Sequence, residues 1–480
     1  MEIKNRASVN SVLACGLAPS AASPSNEQRY TDAPAHTRDS SGKLPFHERR
    51  YFDGVHSFET GDLPSALEAF SEYLRLTNQA ALIDSNSAPY GLADIHSYEE
   101  FERSFRNLLD QRSKSWGQAA EPYPRFLRSL ARVLPTEIPA RGKRILFLIP
   151  QHVTNSKRFI EADFKDHLLE SAANAGAEVE FFPTDRCSYP GKDFDVARAK
   201  TELGLLSVKI ATFRPDVILV DGNYVPSAES LNPAWLNDLK ARLGFRVIVF
   251  IGDAWGSHWI PAANSWSDVG DVIFHFAPET PLEKQGRFSE KLCWDAYPVN
   301  ERNFFRDPNK NFDISFVGTY VSVLRPFWLT VALQVAKDQN LNHQLLPHKR
   351  EASIALTMDE YATVLRQSKM VLNFSTRVGH SKTMTGRAWQ AITAGTVLLE
   401  EDNVFTSAYF VPFVHYVPFS TRDELAYVIR FFSRNPDDAR RIGEAASAFR
   451  RERYSSEAIW SRLLGAAYAH MAQRSGGIRD

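Results

Sequence analysis

The sequence predicts two doubly wound α/β domains, one after the other, preceded by a helical region. From Arg144 onwards, short apolar runs alternate with stretches of helical length, which is the pattern of parallel strands joined by crossover helices. A connector with Pro and Asn, at about residues 298–311, separates the runs into two series. A chain of 480 residues also exceeds what a single hydrophobic core usually supports.

The composition is that of a globular protein. Apolar residues make up 44% of the chain and charged residues 24%, which allows sizeable cores and excludes bulk disorder. A formal net charge of −1 gives no general attraction to nucleic acid or to acidic membranes. We find no apolar run of signal-peptide or membrane-span length, and the three cysteines have no paired or metal-type spacing. We therefore expect a cytoplasmic protein with no bound metal, no nucleic-acid partner and no membrane span.

The N-terminal part of the chain is predicted to be a flexible tail, residues 1–46, followed by a helical region, residues 47–140. Phe58, Gly61 and Ala66 fit two helices joined by a tight turn, which resembles one tetratricopeptide unit. Because such units are stabilised by stacking and no second copy is evident, an isolated helical hairpin is the alternative. Such a region would suit a protein partner.

Each α/β domain contains five predicted strands. In the first domain, residues 141–300, the strands are expected at 145–149, 179–182, 217–220, 247–251 and 272–274. In the second domain, residues 301–455, they are expected at 314–317, 344–346, 371–374, 397–399 and 415–417. The run from Thr421 to Glu424 is a capping box for a further helix, and residues 456–480 are expected to form a closing helix and tail.

Ligands of parallel sheets bind beyond the carboxyl ends of the strands, so the loops that follow the strands are the candidate sites. Gly318 follows the first strand of the second domain, and Arg325 begins the next helix. A glycine here permits close approach to a phosphate, and helix N–H groups favour an anion. A glycine that serves only as a turn device is the alternative.

The loop from Arg377 to Arg387 combines cations, hydroxyl groups and glycines, Gly386 among them, between a buried strand and a helix. This composition suits a diphosphate, because guanidinium groups bind phosphate oxygens bidentately and Lys382 would neutralise a leaving pyrophosphate. A solvated basic loop is the alternative.

Residues 387–400 are predicted to form a short helix ended by Gly395 and a buried strand that ends in Glu400. This order resembles the donor-binding core of retaining-type GT-B glycosyltransferases, in which two Rossmann-like domains face each other across a cleft. More narrowly, the chain is similar to the spore maturation CgeB-like family over about residues 300–455. The similar runs are Asp313–Gly318, Gly386–Gln390, Tyr409–Pro412 and Asn435–Ile442.

The resemblance implies a glycosyltransferase, a hexosyltransferase, that uses a nucleotide-diphospho-sugar donor and an unknown glycan, protein or small-molecule acceptor. The donor is a co-substrate, and no cofactor or essential metal is implied. We assign Arg325, Lys382 and Arg387 to the phosphates, with Gly318 and Gly386 beside them, and the resemblance implies a ribose contact for Gln390.

Family members usually carry Glu where this chain has Gln390, and at the spacing of their first Glu it has Lys382. Gln is neutral and offers one acceptor oxygen where Glu offers two. The alternative is therefore a catalytically inactive GT-B-like binding or scaffold protein that recruits a partner through its helical N-terminal region.

The acceptor is expected at the first domain, where His152 follows the first strand and Asp253 follows the fourth. If the reaction inverts the anomeric carbon, a base must deprotonate the acceptor hydroxyl, and His152, Asp253 and His258 are the candidates. A retaining reaction would instead need a group that stabilises the sugar. An Asp253 that only caps the turn beside Gly252 is the alternative.

Other chemistries lack their motifs. Neither first strand is followed by Gly-x-Gly-x-x-Gly, and the chain contains no Walker-type Gly-Lys-Ser/Thr and no Gly-x-Ser-x-Gly elbow. The sequence therefore gives no support to a dehydrogenase, a nucleoside triphosphatase or a serine hydrolase.

Overall fold

Two parallel β-sheets with flanking helices form the main body of the protein, as seen in a computed structural model. The structure describes residues 45–83, 90, 92, 95, 97–118, 124–130, 137–152, 163–188, 194–252, 259–277, 282, 289–319, 324–348, 356–376 and 382–475. The predicted fold class, two parallel-sheet α/β domains, is confirmed. The predicted tail, residues 1–46, lies almost wholly outside the described residues.

Within the described residues, the first sheet has six strands in the spatial order β2-β1-β3-β4-β5-β6, and all neighbours are parallel. The strands are β1 (Arg144–Ile149), β2 (Glu178–Pro183), β3 (Val217–Asp221), β4 (Arg246–Phe250), β5 (Val272–His275) and β6 (Leu292–Trp294). Sequence reasoning missed β6, because its three half-buried residues at the sheet edge are too short to form an apolar run.

The second sheet has five described strands in the order β11-β10-β9-β7-β8, again all parallel. They are β7 (Phe312–Thr319), β8 (His343–His348), β9 (Ser368–Asn373), β10 (Val397–Glu401) and β11 (Val417–Phe419). β11 begins two residues later than predicted. The reason is that Tyr416 forms an isolated bridge with Pro412, while the His415 ring stacks on Phe449 with centroids 4.3 Å apart.

The α-helices precede the first strand, connect most consecutive strands or follow the last one. They are α1 (Phe46–Thr60), α2 (Leu63–Leu76), α3 (Tyr98–Gly117), α4 (Arg125–Leu130), α5 (Asp163–Asn174), α6 (Val196–Phe213), α7 (Pro233–Leu243), α8 (Ile260–Trp266), α9 (Arg325–Asp338), α10 (Met358–Arg366), α11 (Gly386–Thr393), α12 (Thr406–Tyr409), α13 (Arg422–Arg434), α14 (Pro436–Arg453) and α15 (Ser456–Ser475). The predicted capping box starts α13, since Thr421 Oγ1 accepts from the Glu424 N–H and the Glu424 carboxylate accepts from the Thr421 N–H. α11 is followed by Gly395 with a φ of 65°, a conformation that glycine adopts without strain.

The helices α1 and α2 form a hairpin with a turn at Gly61, where φ is 83°. The two helices approach closely at Gly54, which has no side chain. A Cβ at this position would lie only 2.7 Å from the Phe70 ring. The hairpin packs on α9, and α3 packs on α13 through pairs such as Phe105 and Phe431, whose centroids are 4.9 Å apart. These N-terminal helices therefore share the hydrophobic core of the second sheet, although the first sheet lies between them in the sequence. A single hairpin does not test the tetratricopeptide resemblance.

The last helix, α15, returns to the first sheet and packs on α5, β4 and β5. Its Arg462 forms a buried bidentate ion pair with Asp295, with N–O distances of 2.7 and 2.8 Å. Trp460 Nε1 donates to Ser171 Oγ on α5 at 2.9 Å. Among the described residues, no helix combines the length and the apolar character needed to cross a membrane.

The carboxyl edges of the two sheets meet at Tyr409, the last residue of α12, which follows β10. Tyr409 Oη donates to the carbonyl oxygens of Phe276 and Asp295, each at 2.9 Å. Phe276 directly follows β5 and Asp295 directly follows β6. The two edges at which parallel sheets bind ligands are therefore adjacent.

Candidate functional site

The carboxyl end of β7 is held by Arg387, near the start of α11. The pairing of β7 with β9 reaches only Ser315, although β7 continues to Thr319. Arg387 lies beyond this point: its Nε and Nη2 donate to the Val317 carbonyl at 3.1 and 2.7 Å. The guanidinium also lies 4.5 Å from the centroid of the Phe316 ring, in a cation–π contact.

Gly318 makes room for this guanidinium. A Cβ at position 318 would overlap Arg387 Nη2 and would lie 3.4 Å from the Phe316 ring. The glycine thus leaves the space that an arginine of the protein itself occupies. That it also permits the approach of a phosphate stays a prediction.

Arg325, the first residue of α9, holds the next part of the same strand. Its Nη1 donates to the carbonyl and hydroxyl oxygens of Thr319 at 3.0 and 3.2 Å, and the residue is only 6% exposed. Arg387 and Arg325 therefore bind the carbonyl groups of Val317 and Thr319, on either side of Gly318. Two positive charges therefore lie at the end of one strand, and their assignment to phosphates stays a prediction.

The N-terminus of α11 faces the first domain. A Cβ at Gly386, its first residue, would lie 3.4 Å from the ring of Tyr297, just after β6. Tyr297 in turn packs edge-on against Phe276, with centroids 4.8 Å apart. The N–H groups of the first turn of α11 carry partial positive charge, so this end of the helix and Arg387 both favour an anion.

Buried polar side chains end β9 and β10. Asn373 Oδ1 accepts from Arg387 Nη1 and from Thr385 Oγ1, both at 2.9 Å. Asn373 Nδ2 donates to Glu400 Oε2 at 2.7 Å. The pKa of Glu400 is raised to about 8, mainly because burial disfavours the charged form; the hydrogen bond from Asn373 opposes this shift and the nearby Glu401 adds to it. Arg387 is therefore connected to a fully buried carboxyl group.

Lys382 lies near the ends of the same two strands. Its Nζ donates to the Asp402 carbonyl and is 3.9 Å from Glu401 Oε1. Glu401 is itself held by the backbone N–H groups of Ser375 and Thr376, at 3.0 and 2.9 Å. The role of Lys382 in leaving-group stabilisation stays a prediction, and residues 377–381 of the predicted loop lie outside the described residues.

Gln390 is 2% exposed and joins the two domains. Its Oε1 is 2.6 Å from Tyr361 Oη, and its Nε2 is 2.7 Å from Nε2 of His167 on α5. The Asn300 N–H donates to His167 Nδ1 at 3.1 Å, and burial lowers the pKa of His167 to about 3, so the ring is neutral with its proton on Nε2. The amide of Gln390 satisfies this proton when its carbonyl oxygen faces His167 and its NH2 group faces Tyr361.

In the first domain, His152 is paired with Asp185. The Asp185 carboxylate accepts from the backbone N–H groups of Gln151 and His152, both at 2.8 Å, and Oδ1 is 3.2 Å from His152 Nδ1. A carboxylate at Nδ1 favours the tautomer that carries its proton there, which leaves the lone pair on Nε2. This arrangement can accept a proton from a hydroxyl group. Asp253 and His258 lie outside the described residues.

Sequence reasoning singled out His152, Arg387 and Gln390 but missed the side chains that contact them directly or through one further residue. Asp185, His167, Asn373 and Glu400 were not named as site residues. The available signal was a polar residue at the end of an apolar run, as at Asn373 and Glu400. Within the described part of the chain, no group of three or more His, Cys, Asp or Glu side chains could hold a metal ion.

Part of the sequence matches a protein-family model. Residues 311–465 match the model of a family described as glycosyl transferase-like. The match contains Gly318, Arg325, Lys382, Arg387 and Gln390, whereas the first sheet and the N-terminal helices lie outside it. No curated protein sequence matches the chain.

Solved structures with a remotely similar fold include those of three named proteins. Anabaena HepE in complex with UDP is 9% identical, with 69% of this chain and 100% of that chain covered and a TM-score of 0.42. Sucrose-phosphate synthase from Thermosynechococcus elongatus is 11% identical over 69% and 100%, with a TM-score of 0.46. AviGT4, a glycosyltransferase involved in avilamycin A biosynthesis, is 14% identical over 69% and 99%, with a TM-score of 0.43.

Proposed function

We propose that this chain is a GT-B glycosyltransferase, within the CgeB-like branch, that moves a hexose from a nucleotide-diphospho-sugar to an acceptor. The observation that carries this proposal is the pair Arg325 and Arg387, which bracket Gly318 beside the N-terminus of α11. The segment that contains them matches a glycosyl transferase-like family. Fold alone would not support the activity, because one fold hosts many functions.

We assign the diphosphate of the donor to this end of β7. Guanidinium groups bind phosphate oxygens through paired N–H donors, and the first turn of α11 adds backbone N–H groups. In the transfer step the glycosidic bond to the diphosphate breaks, and negative charge grows on the leaving phosphate oxygen. Arg325 and Arg387 are already fixed by Thr319 and Val317, so they would stabilise this charge without reorganising.

Gln390 is assigned to the donor ribose, as the family resemblance implies. Tyr361 and His167 already bond both ends of its amide, so a ribose hydroxyl would have to replace one of them or share an amide atom. A neutral amide at this place would bind a ribose more weakly than a carboxylate.

The acceptor is assigned to the first domain, with His152 as the general base if the reaction inverts the anomeric carbon. The Asp185 carboxylate orients the ring and would stabilise the imidazolium that forms when His152 Nε2 takes the hydroxyl proton. Asp253 remains the second candidate for this role. In a retaining reaction the leaving phosphate would take the proton, and His152 would contribute only to acceptor binding.

A catalytically inactive GT-B-like binding protein is the second candidate function. The observation that favours it is the burial of Gln390 between Tyr361 and His167. Such a protein would bind a nucleotide without releasing a sugar, and its helical N-terminal region would recruit a partner protein.

The proposal is tested by titrating the full chain with uridine, guanosine, adenosine and thymidine diphosphates in a calorimeter. The release of nucleoside diphosphate from the corresponding nucleoside-diphospho-sugars is then measured. Binding of at least one nucleotide together with slow release supports the enzyme, and binding without release supports the inactive protein. If none of the four binds, both functions are wrong. Arg387→Ala should abolish binding, and Arg440→Ala, at an exposed arginine of α14, serves as the matched control.

A further inference from the structure

A chain of hydrogen bonds runs from the start of α12 to the guanidinium of Arg387. It begins at Asn403, whose Oδ1 accepts from the backbone N–H groups of Phe405 and Thr406, at 3.0 and 2.8 Å. Backbone N–H groups cannot act as acceptors, so the carbonyl end of the Asn403 amide must face them. The NH2 end therefore points the other way, and Nδ2 donates to Glu400 Oε1 at 3.0 Å.

Glu400 connects the oriented amide of Asn403 to Asn373 at the end of β9. Its two carboxylate oxygens accept from two amide groups, Asn403 Nδ2 and Asn373 Nδ2, the latter at 2.7 Å. In its ionised form, above a pKa of about 8, Glu400 only accepts, so it requires an NH2 group from each neighbour. The side chain is completely buried, so water does not compete for these bonds.

Asn373 is oriented as a result. The two ends of an amide have nearly the same shape, so only the hydrogen-bond partners decide which end faces which neighbour. With Nδ2 committed to Glu400, Oδ1 faces Arg387 Nη1 and Thr385 Oγ1. If the amide were turned round, its NH2 group would face the N–H groups of Arg387, and the donor atoms would repel.

We infer that Asn373, Glu400 and Asn403 are positioning residues that hold the Arg387 guanidinium at the end of β7, and this inference rests on the proposed function of Arg387 as a phosphate ligand. We refer to these three side chains as the amide–carboxyl relay. The relay fixes one edge of the guanidinium through Nη1, while the Val317 carbonyl fixes Nε and Nη2. A guanidinium held on both sides has little rotational freedom left to lose when an anion binds.

The test exchanges the two groups at the centre of the relay. Glu400→Gln places an NH2 group against Asn373 Nδ2, because Asn403 keeps the carbonyl end of the new Gln towards itself. Adding Asn373→Asp gives every donor an acceptor again. The Gln at position 400 donates to the Asp at position 373, and this Asp still accepts from Arg387 and Thr385. The double variant thus reverses the polarity of one hydrogen bond and keeps the others.

Binding of the nucleoside diphosphate, or of inorganic pyrophosphate, is measured at pH 9, above the pKa of about 8 that burial gives Glu400. Glu400→Gln should weaken binding about tenfold, the loss expected for one misplaced charged hydrogen bond. The double variant should recover most of this loss. Glu424→Gln, at another buried glutamate whose carboxylate accepts from the backbone N–H groups of Ser420 and Thr421, should change binding by less than about twofold.

A loss of binding in Glu400→Gln that the double variant does not recover would overturn the inference, and so would an unchanged affinity. Crystal structures of the three variants without ligand test whether the relay positions Arg387. Arg387 Nη1 should lose its 2.9 Å contact with residue 373 in Glu400→Gln and regain it in the double variant. If the wild-type chain binds no nucleotide, the proposed function fails, while these structures still decide the inference.

Discussion

Gln390 and His167 join the two domains, with the side-chain amide of Gln390 2.7 Å from His167 Nε2 and both side chains buried. The contact links α11, which also carries Arg387, to α5 of the first domain. Because the neutral His167 ring must donate from Nε2, the position favours a partner that accepts there and can also bond Tyr361. A Gln side chain meets both requirements without a buried charge.

Removing this amide should destabilise the protein. Gln390→Ala leaves the buried His167 Nε2–H without its acceptor, and we expect a loss of about 1–3 kcal/mol in the free energy of unfolding. Urea unfolding followed by circular dichroism measures it. Gln334→Ala, at an exposed hydrogen bond on α9, should stay within about 0.5 kcal/mol of the wild type. Equal stabilities for the two variants would mean that the amide contributes nothing.

The pH dependence of stability should carry the signature of Glu400. Its pKa is about 8 in the folded state and 4.5 for the free side chain. The folded chain therefore binds more protons than the unfolded chain between these values, and the contribution of Glu400 to stability decreases as pH rises from about 4.5 to 8. Glu424, with a pKa of about 7 raised by burial, acts in the same direction.

Glu400→Gln removes this titration. The free energy of unfolding of the variant relative to the wild type should therefore increase between about pH 5 and pH 8 and then level off. Urea unfolding across this range provides the measurement. A difference that is constant with pH would show that Glu400 does not titrate there.

Gly318→Ala should displace the Arg387 guanidinium, because the new Cβ would overlap Nη2. We expect weaker nucleotide binding by about tenfold or more, through the loss of a charged hydrogen bond. Gly204→Ala is the matched control: no atom lies within 4 Å of its new Cβ, and it sits inside α6. That substitution should stabilise the chain by roughly 0.5–1 kcal/mol and leave binding unchanged. Unchanged nucleotide binding in Gly318→Ala would show that the close approach of Arg387 to Gly318 does not matter for binding.

Asp185→Asn tests the orientation of His152. An amide at residue 185 can present NH2 to Nδ1 and favour the other tautomer, which moves the proton to Nε2. We expect acceptor-dependent turnover to fall by at least about 100-fold for an inverting enzyme, while nucleotide affinity is unchanged. Normal turnover with the acceptor would contradict a catalytic role for the orientation of His152 by Asp185.

Much of the fold was predictable because its signals are local. The apolar run 145–149 fills most of β1, and the residues Thr421 and Glu424 are three positions apart and start α13 as predicted. The three-residue strand β6 has no such signal and was missed.

The candidate site depends on pairs that lie far apart in the sequence. Asp185 and His152 are separated by 33 positions, and Gln390 and His167 by 223. No periodicity reports such a pair, so composition could point to Arg387 but could not identify what holds it. These partners are neighbours only because the fold brings the carboxyl ends of the strands side by side.

The most direct test of the central claim is a crystal structure of the full chain with a bound nucleoside diphosphate. We predict phosphate oxygens within about 3.2 Å of guanidinium nitrogens of Arg387 or Arg325, beside Gly318 and the first turn of α11. A nucleotide bound elsewhere, or one whose phosphates contact neither arginine, would contradict the assignment of the donor site to the second sheet.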